Sequence, residues 1–236
     1  MTVPCAAVGA TVVEQTAFLF DMDGTLADTM PFHLQAWIDL LGELGIRTAP
    51  QDFLRKTSGK MNHQILHEVL GMPLCDADLA RFEARKESRF RALCHAHLRP
   101  IAGLTDFLAE SRRLNVPLAV ATAAGKENRA FVLEGLGIAS NFGVVVGAED
   151  VRNGKPHPEI FLKAADALQV DPSRCVVFED AIPGVEAAGR AGMKAVALTT
   201  SLDAREFQGH PAVIHIAKDY TLLRPQALVE AVKHSK

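Results

Sequence analysis

The sequence predicts an α/β protein: a doubly wound parallel sheet with an α-helical domain inserted after its first strand. Three observations predict it. Short, continuous apolar runs recur along the second half of the 236-residue chain, as expected for strands buried on both faces. Helical patterns separate these runs, and strand–helix alternation builds a parallel sheet. From about residue 31 to residue 98 the spacing is helical, with no strand-like run.

The first strand is Ala17–Phe20. Beyond it, Phe32, Ala36, Leu40 and Leu44 follow helical spacing, and Trp37 and Leu41 widen that stripe. Ile65, Leu66, Val69 and Leu70 mark a second helix. Leu79, Phe82, Phe90 and Leu93 mark a longer, charged one. The helical domain then covers residues 31–98, and its two connections, near Thr29 and Arg99–Gly103, suit a lid over the strand ends. The later strands are Val116–Ala121, Val144–Gly147, Cys175–Phe178 and Ala195–Leu198, with a weaker run at Val213–Ile216. Pro158 opens a helix whose apolar stripe is Phe161, Ala164, Ala165 and Leu168. Val185, Ala188 and Ala191 mark another, closed by Gly192. Residues 17–30 and 99–236 form the sheet domain, and residues 1–16 a flexible extension.

Composition narrows the function. Nearly half the residues are apolar, so the core is sizeable, and the net charge is −3 with no basic block that would suit nucleic acid. No apolar run reaches membrane-spanning length. Residues 1–16 lack a basic start and carry Glu14, which argues against a signal peptide. The four cysteines, Cys5, Cys75, Cys94 and Cys175, form no paired framework, so a reduced, cytoplasmic protein is expected.

Four features fall at strand ends. Asp21-Met22-Asp23-Gly24-Thr25 follows the first strand, Thr122 ends the second, Lys155 lies in Asn153-Gly154-Lys155-Pro156, and Glu179-Asp180 follows Cys175–Phe178. Parallel strands place these ends on one edge. Neighbouring carboxylates resist burial unless a cation or a shared proton offsets them. Mg²⁺ takes oxygen ligands and bridges to phosphate oxygens, while a hydroxyl and an ammonium hold phosphate directly. Each feature also has a plainer reading. Asp23-Gly24 suits a turn, Thr122 a strand end, Lys155 a loop, and Glu179-Asp180 a helix start. Asp28 or Thr29 suits a helix cap. His63 and His67, four residues apart, have no evident third metal ligand.

Together and in this order, the motifs resemble those of the haloacid dehalogenase superfamily, phosphotransferase branch, over residues 18 to about 200. The inserted helices resemble the subgroup with a small α-helical cap. Asp28-Thr29, His33 and Ala36-Trp37 are similar to beta-phosphoglucomutase-like proteins. The resemblance implies a Rossmann-like core and assigns roles. Asp21 would attack phosphorus as nucleophile, and Asp23 would act as general acid and base. Asp21, Asp180 and the main-chain oxygen of Asp23 would hold Mg²⁺, with Glu179 binding directly or through water. Thr122 and the amide of Ala123 would hold the transferring phosphoryl group, and Lys155 would offset its charge. Gly24, Thr29 and His33, with the cap residues Gly59, Lys60 and Asn62, would complete substrate binding.

The resembled mutases clamp a second phosphate with a Gly-x-x-Arg segment. Here Gly59-Lys60-Met61-Asn62 puts asparagine at the arginine position, and asparagine offers no charged bidentate fork. The expected activity is therefore a Mg²⁺-dependent phosphatase acting on a small phosphorylated metabolite, a sugar phosphate being the simplest, through an aspartyl phosphate. The alternatives are a beta-phosphoglucomutase and a non-catalytic binder of phosphorylated metabolites. The expected partner is that metabolite, with no nucleic acid or membrane, and the expected state is a monomer.

Overall fold

The computed structural model describes residues 15–57, 60–71 and 75–233. Its centre is a six-stranded sheet in the order β3-β2-β1-β4-β5-β6. The strands are β1 (Ala17–Phe20), β2 (Leu118–Ala121), β3 (Val144–Val146), β4 (Cys175–Glu179), β5 (Lys194–Leu198) and β6 (Val213–Ala217). Every paired neighbour runs parallel. Strands alternate their side chains between faces, and β1 feeds both. Phe18 and Phe20 enter one core with Phe107, Phe178 and Tyr220; Ala17 and Leu19 enter the other with Phe161 and Val177. Burial on both faces explains the unbroken apolar runs.

Helices α1 (Met30–Glu43), α2 (Pro50–Thr57), α3 (Asn62–Leu70) and α4 (Asp76–Cys94) fall between β1 and α5 (Leu104–Arg113). The sheet is flanked by α5, α6 (Lys126–Gly135), α7 (Glu159–Leu168), α8 (Ile182–Arg190), α9 (Ala204–Phe207) and α10 (Pro225–Lys233). The inserted helices carry a core of their own, built on Trp37, Leu40, Leu41, Phe53, Ile65 and Leu66. Ala36, Phe90 and Cys94 pack against Phe131 of α6 and join the insertion to the sheet domain.

Most predicted elements are present, with small differences at their ends. The strand expected from Val116 begins at Leu118, because Pro117 has no N–H for a ladder and Val116 N–H closes α5 on Ser111. Leu44, expected on the buried stripe of α1, is 38% exposed, since the helix ends at Glu43. The side chains of Val69 and Leu70 lie outside the described residues.

Sheet order decides where a ligand meets the fold. From β1 the chain builds outward to β2 and β3, then returns to β4 on the other side of β1. Open α/β sheets bind ligands at such a reversal, beyond the carboxyl ends of the strands. Phe20 pairs with Phe178 in register, so Asp21 and Glu179-Asp180 leave neighbouring strand ends side by side. The same two phenylalanines stack at 4.5 Å with 10° between ring planes, and Phe107 and Phe142 meet Phe20 edge-on. Phe20→Ala is expected to cost about 3–5 kcal/mol of stability, measured by denaturant unfolding; a cost below about 1 kcal/mol would show that this stack does not anchor the site.

Candidate active site

Lys155 is the centre of the site. It is 2% exposed, and its Nζ lies 2.5 Å from Asp21 Oδ1 and 2.6 Å from Glu179 Oε1. It also donates to the carbonyl of Ala121 at 3.3 Å. The loop after β3, the end of β1, the end of β2 and the end of β4 are thereby tied to one ammonium. Burial works against its charge, but Asp21 and Glu179 outweigh that and hold Lys155 more firmly protonated than usual.

Asp21, Glu179 and Asp180 are all buried, each with a carboxylate oxygen within 4.8 Å of the others'. Ionised together, three carboxylates and Lys155 leave two uncompensated negative charges. Burial and the neighbouring Glu179 and Asp23 charges push Asp21 up to about 7 despite Lys155. Asp180 is raised well above the usual range by burial and by Glu179 and Asp21. The donor set therefore fits a hard divalent cation, which oxygen ligands suit and two spare charges would balance. The second oxygen of Glu179 accepts the main-chain N–H groups of Asp180 and Ala181 at 3.1 and 3.2 Å. Ser201 and Thr25 hydroxyls donate to Asp180, the latter at 3.4 Å.

Asp23 sits in different surroundings. Thr29 donates to its Oδ1 at 2.6 Å. His33 Nε2 lies 3.1 Å from the same oxygen, outside hydrogen-bonding geometry. Lys86 Nζ donates to His33 Nδ1 at 2.6 Å, which places the imidazole hydrogen of the neutral ring on Nε2, towards Asp23. The His33 ring stacks on Phe90 at 3.7 Å. Burial raises Asp23, but His33, Thr29 and Lys86 prevail and hold its carboxyl below the usual range.

These groups open into a cavity of about 100 Å³ between the strand ends and the inserted helices. Asp21, Asp23, Thr122, Ala123, Glu179 and Asp180 line its sheet side. His33, Lys60, Asn62, Lys86 and Glu87 line the other side, beside Trp37 and Ile65. Thr122 is buried, and its Oγ1 accepts the N–H of Ala124 at 3.1 Å. Thr29 is buried behind Asp23.

Gly24 lies against Asp180. At φ +77° it adopts a left-handed conformation, and a Cβ there would sit 2.1 Å from Asp180 Oδ2. Gly59 lies outside the described residues. His63 and His67 do not line the cavity.

Sequence reasoning missed Lys86, Glu87 and Asn128. A signal for Lys86 existed: it continues the stripe Leu79, Phe82, Phe90, Leu93 at helical spacing. A lysine on an apolar face calls for a partner. Glu87 and Asn128 carry no comparable signal.

Comparisons with known proteins identify the family. The family model for haloacid dehalogenase-like hydrolases matches residues 18–198. The chain is 34% identical over 178 residues to the fructose-1-phosphate phosphatase YqaB of Escherichia coli, covering 75% of this chain and 93% of that one. It is 33% identical over 183 residues to the chloroplastic 5-amino-6-(5-phospho-D-ribitylamino)uracil phosphatase of Arabidopsis thaliana. That match covers 77% of this chain but only 49% of that longer protein. Among solved structures, beta-phosphoglucomutase from Clostridium difficile superposes with a TM-score of 0.81 at 25% identity, covering 93% of this chain and 97% of that one. With the family model spanning most of its length and the motif residues gathered at the carboxyl edge of the sheet, the chain belongs to the haloacid dehalogenase-like hydrolase family.

Proposed function

We propose that the protein is a Mg²⁺-dependent phosphatase that hydrolyses a small phosphorylated metabolite through a phosphorylated Asp21. The buried Asp21–Lys155–Glu179–Asp180 cluster, open to a cavity that also contains Asp23, carries this reading. The phosphatases among its relatives support it.

An Asp21 oxygen attacks phosphorus, and the bond to the leaving oxygen breaks. Asp23 gives its proton to that oxygen, and the alcohol leaves. Asp23, now a carboxylate, takes a proton from water as the water attacks the phosphoryl group. Phosphate is released and Asp21 is regenerated. Thr122 Oγ1 and the Ala123 amide position the phosphoryl oxygens, and Lys155 offsets their charge. Asp21 and Asp180, with the main-chain oxygen of Asp23 and Glu179 nearby, would hold Mg²⁺, which would supply charge neutralisation at the phosphoryl oxygens. Asp23 is held ionised in the ligand-free site. An arriving phosphate dianion raises its proton affinity through like-charge repulsion, which suits a general acid that takes up its proton only when substrate is present.

Hydrolysis is favoured over phosphoryl transfer to a second site on a sugar phosphate. Asn62 stands in place of an arginine fork, and its amide already gives one N–H to Glu87.

Asp21→Asn is expected to abolish turnover of p-nitrophenyl phosphate, and Asp23→Asn to lower kcat by about 10²–10⁴-fold. Steady-state release of nitrophenolate checks both; full activity in Asp21→Asn would sink the mechanism. The carboxyl of Asp21, raised to about 7 from 3.8, gives a further expectation. Between these values the metal-free folded protein holds a proton that the unfolded chain has lost, so stability falls as pH rises through this window. Mg²⁺ competes with that proton. Added Mg²⁺ is therefore expected to raise the melting temperature more at pH 8 than at pH 5, as read by calorimetry. An equal rise at both would remove the proton–metal competition.

A further inference from the structure

We propose that Glu87 is a built-in anion that sets the substrate class: a phosphomonoester with a hydroxylated leaving group and no second phosphate. The inference rests on the phosphatase reading above and names the substrate of the same site.

Glu87 lies on α4 and lines the cavity that contains Asp21 and Asp23. Its Oε1 accepts from Asn62 Nδ2 at 2.6 Å and from Lys86 Nζ at 2.9 Å. Its Oε2 accepts from Asn128 Nδ2 at 2.5 Å. Asn62 and Lys86 belong to the inserted helices and Asn128 to α6 of the sheet domain, so donors from both sides of the cavity converge on one carboxylate. The orientation of the Asn128 amide is fixed as well. Its Oδ1 accepts from Arg91 at 2.8 Å, which leaves its N–H₂ for Glu87, and Arg91 pairs with Glu127 at 2.8 Å. Burial raises Glu87, but Lys86, His33 and Asn62 hold its carboxyl below the usual range, so it is ionised at neutral pH.

Two amides and an ammonium are donors that a phosphate at this end of the cavity would draw on. Here Glu87 already draws on them. A second phosphate would meet an ionised carboxylate whose partner ammonium, Lys86, is already engaged by Glu87 and His33, in a partly desolvated space where like charges repel. A hydroxyl meets the opposite situation. A carboxylate offers about four acceptor positions, and three are used in the contacts above. The remaining one, on a side chain still 20% exposed, accepts a hydroxyl. Trp37, Leu34 and Ile65 line the same side and offer an apolar wall to the C–H face of a sugar or polyol.

A purely structural bridge between α4 and α6 would affect all ligands alike, so the test reads a ratio. Glucose 6-phosphate and glucose 1,6-bisphosphate are compared as competitive inhibitors of p-nitrophenyl phosphate hydrolysis, with Mg²⁺, in the wild type, Glu87→Gln and Glu87→Ala. The wild type is expected to bind the monophosphate at least tenfold more tightly. Either variant is expected to shift the ratio of inhibition constants at least tenfold towards the bisphosphate. Equal binding of both ligands by the wild type, or a ratio unchanged within twofold in the soluble variants, would overturn the proposal. Absence of p-nitrophenyl phosphate turnover by the wild type would instead overturn the phosphatase reading on which it rests.

Discussion

One buried ammonium organises the site. Lys155 is fully enclosed, and burying it without partners would cost several kcal/mol. Asp21 and Glu179 offset that cost from neighbouring strands, while the Ala121 carbonyl takes a further hydrogen bond. Because the partners lie at the ends of β1, β2 and β4, the ammonium is satisfied only when those ends are in register. The register Phe20 opposite Phe178 supplies this, supported by the aromatic stack behind it. The fold's core and the site's charge balance are thus one constraint: slipping the strands would strand a buried charge. The balance is also deliberately incomplete. Lys155 neutralises one of three buried carboxylates, leaving a negative excess that a proton or a cation must meet.

Asp21 and Asp23 show how far surroundings set a carboxylate's behaviour. They are two residues apart on one strand end, yet their proton affinities move in opposite directions. Asp21 faces other carboxylates in a closed space. Asp23 faces Thr29, His33 and, behind His33, Lys86. Two of those three residues sit on the inserted helices α1 and α4, and Thr29 sits at the connection into α1. The insertion therefore conditions the proton state of the strand end as well as covering it.

The sheet was legible in the sequence because its physical signal is redundant. The inner strands β1, β2, β4 and β5 are buried on both faces, so every residue of Ala17–Phe20 reports the same thing. The convergence of the strand-end residues was legible for a related reason: acids, a lysine and a hydroxyl at the ends of parallel strands fall on one edge. The cavity's other side was not legible. Lys86 looks like one more charge in Glu83-Ala84-Arg85-Lys86-Glu87, and only its position on the apolar stripe distinguishes it. Glu87 and Asn128 meet from α4 and α6, 41 positions apart, and the pairing depends on how the insertion docks through Phe90 and Phe131. Trp37 combines both cases: read as core, it is buried in the insertion's core and also walls the cavity.

The two sides of the cavity are electrostatically different in kind. The sheet side carries excess negative charge, three carboxylates against one ammonium. On the helical side Lys60 lines the cavity, and Lys86 is set against Glu87 at 2.9 Å. The same ammonium lies 2.6 Å from His33 Nδ1 and stacks over Trp37 and Phe90 at 5.4 and 5.7 Å. One lysine is therefore shared between the Glu87 carboxylate and the imidazole that faces Asp23. Its position is fixed by aromatic faces, so it answers both neighbours without moving towards either. A change of charge at Glu87 reaches Asp23 through two intermediate residues, Lys86 and His33. In the proposed mechanism, recognition of the leaving group and the proton state of Asp23 are coupled by that geometry.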